Sequence, residues 1–90
     1  MPAGRPEAAM PPADPRRLVE FLVRGVVERP DAVSVRATER DRLLVVEVRV
    51  APDEVGKVIG RRGRVVGAIR TLAKAVPAPG RRRVVVEILG

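Results

Sequence analysis

Two glycines three residues apart, Gly60 and Gly63, break a stretch that otherwise reads as helix. Two arginines, Arg61 and Arg62, lie between them. Upstream, Ala51-Pro52-Asp53-Glu54 has the chemistry of a helix start. Proline is tolerated in a first turn, and two carboxylates complement the positive end of the helix dipole. That helix can run only to about Ile59. From Arg64 a second helix follows, with Val65, Ile69, Leu72 and Val76 on one stripe and Val66 and Ala73 beside it. Pro77 and Pro79 end it. Glycine is a poor helix former and the most permissive turn residue. The chain must therefore turn sharply, with its backbone exposed, between two helices.

The flanking segments supply a sheet and a third helix. Asp14-Pro15 reads as an N-cap followed by proline at the first helical position. Leu18, Phe21, Leu22 and Val26, with Val19, Val23 and Val27, then recur at helical spacing. Glu20, Arg24 and Glu28 stand at i,i+4 steps, and Pro30 closes the helix. Residues 32–38 alternate, with Val33, Val35 and Ala37 facing one way. After the charged turn Glu39-Arg40-Asp41-Arg42, Leu44, Val46, Val48 and Val50 alternate with Leu43, Val45, Glu47 and Arg49. The short connection predicts an antiparallel hairpin. Arg81-Arg82-Arg83 leads into a last strand, where Val84, Val86 and Ile88 alternate with Val85, Glu87 and Leu89. The order is α-β-β-α-α-β. It predicts an α+β fold with a three-stranded sheet and helices packed on one face. Ninety residues allow one domain. Residues 1–14, with four prolines and no apolar periodicity, read as a disordered Pro/Ala-rich tail. Residues 15–90 form the domain.

Composition removes most catalytic chemistry. Cysteine, histidine, tryptophan and tyrosine are absent. The side-chain hydroxyls are Ser34, Thr38 and Thr71. A zinc enzyme and a Ser/His or Cys/His hydrolase are excluded. Asp53 and Glu54 are adjacent acids, but their place at a helix start explains them. The sequence predicts a binding protein without enzymatic activity or cofactor. No apolar run is long enough to span a membrane, and no signal peptide is visible, so the expected compartment is the cytoplasm.

Charge points to the partner. The chain carries a net charge of +7. Residues 56–90 hold nine basic residues and one acidic residue, Glu87, whereas the first 55 residues are nearly balanced. A basic half beside a neutral half implies a surface that faces a polyanion. The glycine-rich stretch must then be compared with phosphate loops. A P-loop needs Ser or Thr after Gly-Lys, and here Val58 follows Gly56-Lys57. A dinucleotide fingerprint needs a glycine where Val58 stands, and a strand before it. Neither fits. A G-x-x-G turn does fit a phosphodiester lying against the second helix's positive end. Arg61 and Arg62 bring guanidinium groups suited to phosphate oxygens. Lys57, Arg64 and Arg70 extend the positive rim, and Val58 and Ile59 offer an apolar floor for bases. The alternative is a plain turn with solvated arginines. Phe21 is the sole aromatic residue, so stacking on aromatic platforms is not available.

Val58-Ile59-Gly60-Arg61-Arg62-Gly63 resembles the VIGxxG signature of KH domains, which grip about four nucleotides of single-stranded RNA. With one helix and one strand after the motif, the order resembles the bacterial type II KH fold. Arg49-Val50-Ala51-Pro52, Gly56 to Gly63, Arg64, Ala68-Ile69-Arg70-Thr71 and Lys74-Ala75 closely resemble the small stand-alone KhpA-type (YlqC-type) proteins. The resemblance covers about residues 15–89. It implies RNA binding through Lys57, Val58, Ile59, Gly60, Arg61, Arg62, Gly63, Arg64 and Arg70, without catalysis. It also implies a homodimer, or a heterodimer with a larger Jag-type KH protein, acting in post-transcriptional control linked to cell elongation and division. Two departures stand out: a pair of arginines where lysine is common in the loop, and Gly67 inside the second helix.

A second function class remains open at this point. The fold can serve mainly as a protein–protein adaptor, with Val65, Val66 and the strand edge around Val85 and Leu89 as its surface. One of the two valines belongs to the core on periodicity. Arg81-Arg82-Arg83 either touches an RNA backbone at the groove rim or is simply solvated.

Overall fold

A computed structural model describes residues 14–89. The predicted tail, apart from Asp14, lies outside the described residues. Helix α1 spans Pro15–Val26. Asp14 caps it: one carboxylate oxygen accepts from the Arg16 N–H at 2.7 Å and the Arg17 N–H at 3.2 Å. Proline at the first helical position donates nothing and needs no partner. Strands β1 (Ser34–Arg40) and β2 (Leu43–Arg49) follow as the expected antiparallel hairpin, with Arg40 opposite Leu43. A single 3-10 turn at Pro52–Glu54 leads into the short helix α2, Val55–Ile59. A second such turn, Arg61–Gly63, leads into α3, Arg64–Lys74. Strand β3 (Arg83–Leu89) completes a sheet of order β1-β2-β3, lying parallel to β2. The strand–helix–helix–strand crossover explains the parallel pairing, since a parallel partner needs a long connection.

The core lies between one sheet face and the helices. Val46 and Val48 of the central strand, Val19 and Val23 of α1, and Val58 of α2 are fully buried. Ile69 and Ala73 of α3 and Val84 and Val86 of β3 close it. Strand alternation was read correctly, with one exception. Val45 points to the helix-free face, yet is 6% exposed. It sits on the central strand between Thr38 and Val85, whose side chains flank it.

Helix faces were read less well. The stripe of α3 that enters the core is Val66, Ile69 and Ala73, while Leu72 is 47% exposed. Val65 packs against the core from a half-buried position. On α1, Leu18, Val19 and Val23 are buried and Phe21 is exposed. Each short helix carries apolar residues around most of its girth, so two stripes satisfy the period and packing chooses between them. Among the described residues no helix is long and apolar enough to cross a membrane.

Glu54 does more than complement a dipole. It is 1% exposed. Its carboxylate accepts from the backbone N–H of Glu28 at 2.6 Å and of Arg29 at 3.2 Å, in the segment after α1. Arg29 and Lys57 stand within ion-pair distance, at 3.9 and 3.6 Å. The carboxylate thus ties the end of α1 to the start of the helix pair. Asp53 pairs with Arg29 beside it. The Glu28 N–H holds the Glu54 carboxyl below the usual carboxylate range, against the opposing effect of burial, and the Arg29 N–H adds to the lowering. A depressed folded value means the contribution is complete above the ordinary carboxylate pKa. It is lost as pH falls through that range towards the folded value. Glu54→Gln should therefore melt at a lower temperature than wild type at neutral pH, and the gap should close in acid. Equal melting at neutral pH, followed by circular dichroism, would contradict this role.

Candidate nucleic-acid interface

The loop between α2 and α3 is built from left-handed backbone. Gly60 has φ 78°, Arg62 φ 58° and Gly63 φ 72°. The Gly60 N–H closes α2 on the Gly56 carbonyl at 2.8 Å, and the Gly63 N–H returns to the Gly60 carbonyl at 3.1 Å. The two glycines serve different ends. A Cβ at Gly60 would lie 2.4 Å from Cγ2 of Val65 and 2.9 Å from its backbone nitrogen. Real Cβ atoms do not approach so closely, so Gly60 is bare because Val65 packs onto it. A Cβ at Gly63 would meet nothing within 4 Å. That side of the loop is open to an incoming ligand.

Around this opening the positive groups are Arg61, Arg62 and Arg64, all exposed. None has an acidic partner among the described residues. The positive end of α3 points at the same place, because α3 starts at Arg64 with no side chain capping its N-terminus. Unpaired guanidinium groups at a helix N-terminus are suited to anionic oxygens.

The other predicted residues fall elsewhere. Val58 is fully buried in the core and offers no floor to a ligand. Ile59, 39% exposed at the end of α2, remains as the apolar surface beside the loop. Lys57 turns towards Glu28 and Glu54, at 3.3 and 3.6 Å, and not towards the loop. Arg70 lies two turns along α3, where its Nε and Nη2 donate to the Val86 carbonyl at 3.3 and 3.1 Å. It ties α3 to β3 and keeps its remaining donors for the adjoining surface. The residue that sequence reasoning missed is Val65, read as core or interface. It positions Gly60, and nothing in the sequence pairs a valine with a glycine five residues earlier.

A sequence model of the KhpA/KhpB KH domain matches residues 16–88. The chain belongs to that family. The protein called RNA-binding protein KhpA in Caldanaerobacter subterraneus is 43% identical over 72 residues, covering 80% of this chain and 96% of that one. Its namesake in Borreliella burgdorferi is 46% identical over 72 residues, covering 80% of this chain and 88% of the relative. The Aquifex aeolicus protein of that name is 42% identical over 72 residues, 80% of this chain and 91% of its own. The fold is thus a type II KH domain.

In this KH domain the two glycines should respond differently to a methyl group. Gly63→Ala should cost roughly 1–2 kcal/mol, the penalty for an L-residue in left-handed backbone. Gly60→Ala would force a side chain into a nearly glycine-only conformation, φ 78° and ψ 169°, and into a collision with Val65, so its melting temperature should fall further. Equal destabilisation in denaturant titrations would show that the Gly60–Val65 contact does not shape the loop.

Proposed function

We propose that this chain is a non-catalytic RNA-binding module that grips a short single strand through Gly60–Gly63 and acts in post-transcriptional regulation. The observation that carries the reading is the open side of Gly63, ringed by Arg61, Arg62 and Arg64, which have no carboxylate partner among the described residues. The relatives' name, RNA-binding protein KhpA, supports RNA as the strand. Phosphates lie against the start of α3, and Ile59 lies beneath a base. With no aromatic platform at the loop, charge supplies most of the affinity.

Arg61→Asp with Arg62→Asp places two negative charges where the backbone would lie. Stability should change little, because both side chains are exposed. RNA affinity should fall about tenfold or more, since losing about 1.4 kcal/mol already gives that factor. Wild-type affinity should decline with salt at a log–log slope near −2, about −0.7 for each of about three phosphates. A folded double variant that shifts RNA as wild type does would remove the loop from the site.

Pairing with a second KH chain, a copy of itself or a larger Jag-type partner, would raise avidity for a longer RNA. The adaptor surface first read at Val65 and Val66 does not suit this. Val66 is core, and Val65 is occupied by Gly60. The exposed Phe21, Ile59 and Leu72 supply apolar surface instead. Sedimentation equilibrium should show self-association that weakens in Leu72→Glu. A wild-type chain that stays monomeric at high micromolar concentration would leave only the heteromeric partner.

A further inference from the structure

Glu54 stands at the N-cap position of α2, yet its side chain caps nothing there. A carboxylate serving α2 alone would turn to that helix's own first N–H groups. This one crosses to the segment after α1, where it accepts from the Glu28 and Arg29 N–H groups. Taking a carboxylate out of water is costly unless its lone pairs are filled. Here two backbone donors and two cations surround it. Lys57 extends the arrangement. Its ammonium stands 3.3 Å from Glu28 and 3.6 Å from Glu54, so it spans from the middle of α2 to the segment after α1. Asp53 pairs with Arg29 at the surface, where such a pair adds little.

The tie matters because of what else holds α2. Five residues at about 1.5 Å each make α2 a rod of about 7.5 Å. A helix that short is not stable by itself and takes its orientation from its contacts. Two of those contacts act at the loop end. Val58, the penultimate helical residue, is fully buried, and Gly60 lies under Val65. The opposite end has Val55, only half-buried, and Glu54. Without the carboxylate the rod can swing about its loop end. Ile59 and Gly60 then turn with it, while α3 stays fixed by Val66, Ile69 and Ala73. A binding constellation tolerates errors of about 10–20° in orientation, so a larger swing spoils it.

We propose that Glu54 and Lys57 are positioning residues of the RNA site, which set the tilt of α2 and so aim Ile59 and Gly60 without touching the strand. The inference rests on the RNA-binding reading above. It changes the role first assigned to Lys57, from a rim cation to half of a tie. It also fixes a sign. By charge alone, neutralising a carboxylate near a polyanion should tighten binding. Positioning requires the same change to weaken it.

The test measures affinity for a single strand of about four nucleotides by fluorescence anisotropy across a salt series. The temperature is one at which circular dichroism shows each variant folded. Glu54→Gln should bind about tenfold more weakly than wild type, with the log–log salt slope unchanged, because no phosphate contact is lost. Lys57→Gln should keep the fold, since its side chain is 44% exposed, and should also weaken binding at an unchanged slope. A lysine that touched a phosphate would instead leave a slope shallower by about 0.7. The double variant should lose little more than Glu54→Gln alone, since both residues serve one tie. In free Glu54→Gln, the NMR amide signals of Ile59 and Gly60 should move while those of Ile69 and Ala73 stay. Wild-type or tighter affinity in folded Glu54→Gln would overturn the proposal, and a shallower slope in Lys57→Gln would overturn it for the lysine. Arg61→Asp with Arg62→Asp, measured on the same strand, keeps the two readings apart. If it weakens binding while Glu54→Gln does not, the loop stands and the positioning role falls. If neither weakens binding, the RNA-binding reading itself fails.

Discussion

Val65 packs onto the bare Cα of Gly60, and the geometry of the loop between α2 and α3 follows from that contact. Because the valine occupies the place of a Cβ, the chain can leave α2, turn through three left-handed residues and start α3 within four positions. Val66, the next residue, is buried in the core and anchors the first turn of α3. The loop is therefore shaped by two adjacent side chains, one locking the turn and one locking the helix. Its arginines project outward because the inward positions on either side of the turn are filled. A phosphate site needs no further machinery than a helix N-terminus, an open approach and unpaired positive charge.

The rest of the fold holds this pair of helices still. Val58, two residues before the loop, and Ile69, after it, are buried among the valines of β2 and β3. Each such side chain is worth roughly 1.5–3 kcal/mol when fully buried. Two polar ties act alongside them. Glu54 binds the helix pair to the end of α1, and Arg70 binds α3 to the β3 edge. Both polar ties join a side chain to backbone groups, so they fix position more than they add affinity between charges. A binding residue is placed well when its support is rigid, and here the support is a valine core with two pins.

The fold class, the strand faces and the loop were legible in the residues, because each rests on local pattern. Val46 and Val48 alternate as a half-buried strand must, and Gly60 and Gly63 can mean little but a turn between helices. The face of α3 was not legible. Val65, Val66, Ile69, Leu72 and Ala73 satisfy the helical period in more than one way, and only the sheet beneath decides that Leu72 stays outside. Glu54 looked like a helix-start acid because its true partners are backbone N–H groups of Glu28 and Arg29, and a backbone group leaves no mark in sequence. The same reason hid the structural role of Arg82, whose guanidinium donates to the Asp41 carbonyl at 3.1 Å and the Pro79 carbonyl at 3.2 Å. Arg82 is distinguished from its neighbours by the Asp41 carbonyl, which is brought close only by the hairpin. Val58 was misplaced as a ligand floor because, of two successive helical residues before the loop, one points into the core and the other, Ile59, outward.

Ion pairing divides the cations into two sets. The cations with carboxylate partners, Arg16, Arg24, Arg29, Lys57 and Arg82, lie on α1, in the turn after it, on α2 and at the hairpin. Those without carboxylate partners among the described residues are Arg61, Arg62 and Arg64 at the loop, Arg70, Lys74, Arg81 and Arg83 along and beyond α3, and Arg17, Arg36, Arg40, Arg42 and Arg49 on α1 and the hairpin. The most direct test of this arrangement is a titration of isotope-labelled protein with a short single-stranded RNA, followed amide by amide by NMR. The account predicts the largest shifts at Gly60–Arg64 and along α3, with the helix-free face of β1 and β2 unmoved. Shifts concentrated on Arg36, Glu47 and Arg49 of that face, with the loop silent, would contradict it.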